Sequence, residues 1–135
     1  MKNLKIKRII GIIGVSVLVM SAISLLALYI WIGHDVKGNI RTAELKYPGK
    51  AEDALISYLL DTANSTFDRS SLAVWTLGQI HSEKALPVLH GLYKDDPEGK
   101  ICKGRHDKVL CQYEIHKAIA AIERGRFLSH SRLNR

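Results

Sequence analysis

The sequence predicts an all-α protein with one N-terminal transmembrane helix followed by about four helices in two pairs. Three observations carry this: a long uncharged run, an apolar stripe that recurs down the chain, and two cysteines bracketing the place where the recurrence is interrupted. From Ile9 to Ile32 there are 24 residues without a charge. At roughly 1.5 Å per residue such a run makes a helix of about 36 Å, enough for a hydrocarbon core of about 30 Å with some tilt.

Segment 1–8 carries Lys2, Lys5, Lys7 and Arg8 and no acid, which favours a cytoplasmic tail because clustered basic residues resist translocation. The domain after the span is then extracytoplasmic, and periplasmic in a Gram-negative cell. Lys5, Lys7 and Arg8 would mark the inner interface, and Tyr29 and Trp31 the outer one, where amphipathic rings prefer to sit. A cleavable signal peptide usually has an apolar core of about 7–15 residues and a small-x-small exit. This run is longer and no Ala-x-Ala follows it, so an uncleaved anchor is expected. Gly11, Gly14, Leu18, Ser21 and Leu25 recur on one face of the span, a pattern met both in plain anchors and in spans that pack on another helix.

Beyond Ile32 lie 16 of the 20 Lys/Arg and all 13 acidic residues, a net charge of only +3. That balance argues against nucleic acid as a partner, since such a surface would be densely basic. Segment 33–49, with Gly33, Gly38, Asn39, Pro48 and Gly49, reads as a linker. Segment 126–135 reads as a basic C-terminal tail, solvated or touching anionic lipid, with Phe127 and Leu133 as its bulky apolar residues.

Between them, in 50–125, Ala51, Ala54, Leu55, Tyr58 and Leu59 fall at the spacing of one buried helix face. Ala85, Val88, Leu89, Leu92 and Tyr93 repeat it 34 residues later, and Asp95 matches Asp61. Ala73, Leu77 and Ile80 mark a second kind of helix, echoed 42 residues later by Ile115, Ile119 and Ile122. The difference between 42 and 34 is an eight-residue insertion, placed between Asp95 and the last helix. The expected helices run from Lys50 to Thr62, Asp68 to His81, Glu83 to Lys94 and His106 to Arg124. Asn64-Ser65-Thr66 and His81-Ser82 supply turn and capping chemistry between them. Pro87 is tolerated only within a first turn, which fixes the start of the third helix.

The run Ala85-x-Pro87-x-Leu89-x-x-Leu92-x-x-Asp95-Asp96-Pro97, preceded by Leu77-Gly78-Gln79-Ile80, resembles the HEAT-repeat family, including its subgroup found with phycobilisome lyases. The resemblance covers Lys50 to Gly125 and implies a short HEAT-like α-solenoid that works by binding other proteins. It departs after Pro97, where the insertion stands in place of the family's hydrophobic-Arg pair, and Arg69 falls one residue early. Two units are fewer than such arrays normally stack, so the end faces require capping or a partner.

In the insertion, loop 98–111, Cys102 and Cys111 are expected to oxidise together outside the cytoplasm. Closing a loop of about ten residues stabilises a fold by roughly 2.5–3 kcal/mol on the chain-entropy model. A domain this small needs such a staple. The alternative is a metal site of Cys102, His106, Cys111 and His116, and with it a metal- or thiol-dependent enzyme. No Cys-x-x-Cys exchange motif and no Ser/His/Asp arrangement is present, so the expectation is a non-enzyme with no cofactor and no small-molecule substrate. Asn64-Ser65-Thr66 is a formal glycosylation acceptor, expected to be accessible in its turn. The function expected is that of a membrane-anchored interaction module or an accessory subunit of a membrane complex. Its partners would be the lipid bilayer and another protein, met through Trp75, His90, Tyr93 and Arg105.

Overall fold

The computed structural model describes the backbone of residues 2–133 and the side chains of residues 11–126. It is all-helical, with no strand among the described residues. The chain divides into two units, Met1–Asp35 and Val36–Arg135.

Helix α1 spans Lys2–Lys46. Its described part contains one stretch long and apolar enough to cross a membrane, with a mean hydropathy of 2.4 in the best window. Every residue from 11 to 35 is exposed, including Leu18, Leu25, Tyr29 and Trp31. Within the chain this aliphatic wall is uncovered, unlike the buried helix of a soluble core, and roughly 25 cal/mol per Å² of such surface would be left in water. The side chains of Lys5, Lys7 and Arg8, and of Phe127 and Leu133, lie outside the described residues.

The linker expected at 33–49 is not there. The helix continues to Lys46, and only Tyr47 to Lys50 forms a turn. Val36, Asn39, Ile40, Ala43 and Tyr47 recur at helical spacing and are the partly or fully buried positions of this stretch, with Ala43 fully buried in the core of the second unit. Gly33 and Gly38 do not break the helix: both sit within it with open space where a Cβ would stand. Glycine costs a helix only about 1 kcal/mol, less than this stripe recovers by burial.

Helix α2 (Ala51–Leu60) buries Ala54, Leu55, Tyr58 and Leu59, four of the five residues expected on its face. Glu52 and Asp53 in its first turn suit the positive end of the helix dipole. The next rod starts at α3 (Thr66–Asp68), widens into a π-helical stretch (Arg69–Val74), and ends as α4 (Trp75–Gln79). Ser65 caps it, its Oγ accepting the Asp68 N–H at 3.0 Å. Arg69 Nε donates to the Leu59 carbonyl at 2.6 Å, closing the C-terminal end of α2. A Schellman-type stop follows: His81 adopts φ 52° and the Ser82 N–H reaches the Leu77 carbonyl at 3.1 Å. Ser82, expected as a cap, contributes only its backbone, since its buried hydroxyl has no hydrogen-bond partner.

A 3₁₀ turn (Glu83–Ala85) leads into α5 (Leu86–Leu92) with Pro87 in the first turn, where its missing N–H is harmless. Helix α6 (Gln112–Leu133) begins six residues later than expected and extends through most of the expected tail. Residues 106–111 stay outside any helix. Helix α4 packs on α6, and α5 packs on α6 as well. Gly78 permits the α4–α6 approach: a Cβ there would lie 3.0 Å from the Ala118 Cα. The core joins Ala54, Leu55, Leu59, Ala73, Leu77, Leu89, Ile115 and Ile122, so both repeated stripes face inward.

Candidate functional site

The segment from Tyr93 to Cys111 leaves α5 and returns to α6 as a series of turns. Asp95 adopts φ 53°. Asp96, nearly buried, then accepts the Lys100 N–H at 3.0 Å and the Ile101 N–H at 2.9 Å. The Ile101 N–H, followed by that of Lys100, holds the Asp96 carboxyl below the usual carboxylate range. Gly99 sits at φ 64°, and a Cβ there would meet the Tyr113 Cβ at 2.8 Å, so only glycine fits between loop and helix.

Side chains of three residues, Thr66, Ser70 and Gln112, fasten the segment to the body. The Thr66 hydroxyl donates to the His106 carbonyl at 3.1 Å, and the Cys111 N–H donates to Ser70 Oγ at 3.3 Å. Buried Gln112 accepts the Lys94 N–H at 2.6 Å and donates to the Leu92 and Leu110 carbonyls, both at 3.4 Å. The Thr66 and Ser70 anchors connect residues about 40 positions apart and Gln112 reaches back 18, which is why no local pattern announced Ser70 or Gln112.

Cys102 and Cys111 are each 2% exposed, their sulfurs at disulfide distance and their Cα atoms 5.1 Å apart. That separation is well within the range a bridge requires, roughly 4.4–6.8 Å. Together with His106 they form the one candidate metal-ligand group among the described residues, their ligand atoms all within 4.8 Å of one another. His116, the fourth ligand expected, is not in it. Its ring stacks on Tyr93, centroids 5.7 Å apart and planes inclined by 28°. It lies five positions after Cys111, inside α6, on the side that meets Tyr93.

The expected partner-binding residues are spread over three elements. Tyr93, half-buried at the end of α5, meets His116 on α6, and exposed His90 lies 3.5 Å from the Glu123 carboxylate. Arg105 stands exposed on the loop, whereas Trp75 is half-buried at the start of α4. Tyr93 and His90 thus border one seam between α5 and α6.

A polar cluster at the end of α1 has no signature in the sequence, because its members lie 14 to 18 positions apart. The Tyr47 hydroxyl and the Lys46 ammonium converge on the turn after α2, donating to Asp61 and to Asn64 Oδ1 respectively. Asn64 Nδ2 in turn donates to Tyr47 Oη at 2.9 Å and to the Tyr58 carbonyl at 2.8 Å. The Tyr47 hydrogen bond, then the Ala63 N–H, holds the Asp61 carboxyl below its ordinary value. The expectation of an accessible glycosylation acceptor is therefore corrected: Asn64 is 6% exposed and both amide hydrogens are engaged. Its role is to lock the α2–α3 turn to α1.

No family model, curated protein or solved structure matches the chain.

Proposed function

We propose that this chain is a single-pass membrane protein, N-terminus cytoplasmic, that holds a HEAT-like helical module on the extracytoplasmic side as an interaction domain or accessory subunit of a membrane complex. The observation that carries the reading is the bare apolar wall of residues 11–32 on the same chain as a folded domain containing a cysteine pair at disulfide distance. Such pairs persist where the surroundings are oxidising, which agrees with the basic residues that precede the span. The solenoid reading draws support from the packing of α4 on α6, the second helix of each unit, and of α2 on the 3₁₀ turn that opens the second unit. Tethering raises the module's effective concentration beside membrane partners, so modest contacts suffice.

The α5–α6 seam with Tyr93 and His90, next to exposed Arg105, is the surface assigned to the partner. Crosslinking in native membranes, read by mass spectrometry, tests it. The wild-type chain should capture a membrane-complex subunit that Tyr93→Ala combined with Arg105→Glu releases; identical capture, or none, ends the assignment. Orientation has its own check. A membrane-impermeant amine reagent applied to sealed cells should modify Lys94 and spare Lys2, and the reverse pattern places the domain on the other side.

A further inference from the structure

We infer that reduction of Cys102 and Cys111 turns the loop into a binding site for one thiophilic d10 cation of the zinc class, held by the two sulfurs and the His106 imidazole with a fourth position open to solvent.

Three features argue for it. First, the ligand atoms are already gathered. At Zn–S distances of about 2.3 Å, tetrahedral geometry places two sulfurs about 3.8 Å apart. The two sulfurs, now bonded, need only separate to that distance, and the His106 nitrogen already lies within 4.8 Å of both. Second, each ligand residue is fixed by a contact that does not depend on the sulfur–sulfur bond. Cys111 is held through its N–H on Ser70 Oγ, His106 through its carbonyl on the Thr66 hydroxyl, and Cys102 through its N–H on the Gly99 carbonyl at 3.2 Å. Asp96 and Gln112 clamp the two ends of the segment in addition. A loop fastened this way keeps its shape when the bridge opens, so little ordering entropy is left for the metal to offset. Third, the sulfurs are buried while His106 is exposed, which gives a cation an entrance beside its imidazole. With His116 turned to Tyr93, three protein ligands remain. Three ligands and an open position are the pattern of reactive or transfer sites rather than closed structural ones.

The chemistry balances with a dithiol reductant. Its two S–H bonds break and its own disulfide forms; the Cys102–Cys111 bond takes up the two electrons and two protons and becomes two thiols. Zinc entry then forms two Zn–S bonds and one Zn–N bond and releases one proton from each thiol to solvent. The oxidised chain holds no cation, so the two states exchange a covalent tie for a metal tie across the same loop.

Full-length protein in detergent micelles, reduced with a phosphine and titrated with zinc against a chromogenic chelator, tests the inference. Reduced wild type should take up one zinc per chain and oxidised wild type none. His106→Ala should weaken binding by tenfold or more, Cys102→Ser should abolish it, and His116→Ala should leave it unchanged. Absence of uptake by the reduced chain overturns the site, as does uptake indifferent to His106→Ala. An equal loss in His116→Ala overturns the three-ligand set. Circular dichroism of the reduced, metal-free chain guards the interpretation: helicity should persist, and its collapse without zinc overturns the claim that the loop is held independently of the bridge.

Discussion

Asn64 shows how one residue's meaning depends on what surrounds it. By sequence it opens a glycosylation acceptor; in the fold it is a buried amide with every hydrogen engaged, joining α1 to the α2–α3 turn. Replacing it leaves the Tyr58 carbonyl without its donor and Lys46 without its acceptor. Asn64→Ala should therefore cost about 1–3 kcal/mol, read as a lower midpoint in thermal unfolding. Its neighbour Asp61 adds a pH dependence. Its folded-state pKa lies below the ordinary value, as does that of Asp96, so each contributes stability that is present above the unfolded carboxylate pKa and lost as pH falls through the folded one. Acid titration should thus destabilise the helical domain from about pH 5 downward. Tyr47→Phe, which removes the first cause of the Asp61 shift, should flatten that acid limb, and an unchanged limb would show that the hydrogen bond is not its source.

Among the elements, α4 and α6 cross closely at Gly78. Gly78→Ala places a methyl 3.0 Å from the Ala118 Cα and 3.2 Å from its Cβ, and both are backbone-fixed. Neither helix moves without disturbing Leu77, Ile115 and Ile119 beside them. The expected cost is about 1–3 kcal/mol. Gly91 on α5 is the matched control, with open space at its Cβ. Gly91→Ala should stabilise by up to about 1 kcal/mol through helix propensity. Denaturant midpoints of the two variants should move in opposite directions. Element boundaries divide the same way between local and distant causes. The stop of α4 follows from local backbone geometry at His81 and Ser82. The start of α6 at Gln112 depends on a side chain that reaches the end of α5, and periodicity does not contain that.

For the molecule as a whole, the second unit is small and its stability should lean on the Cys102–Cys111 link. Breaking it returns a loop of about ten residues to the unfolded chain's freedom. Thermal unfolding with and without a phosphine should differ by on the order of 10–20 °C, with helicity retained at 25 °C. A difference near zero would mean that Asp96, Gln112, Ser70 and Thr66 hold the loop without help. The link should thus tie the domain's stability to the redox state of its surroundings.

The sequence by itself determined the helical class, the apolar span, the two repeated stripes with their insertion, and the pairing of the cysteines. Each of these is written in spacing along the chain, and helical periodicity converts spacing directly into which side is buried. Only the tertiary structure decided that α1 continues into the domain, that Asn64 is a lock, and that His106 rather than His116 stands with the two sulfurs. Those outcomes turn on contacts between residues far apart in the chain, where a half-buried stripe outweighs two glycines and a hydrogen bond to a distant hydroxyl sets where a loop comes to rest.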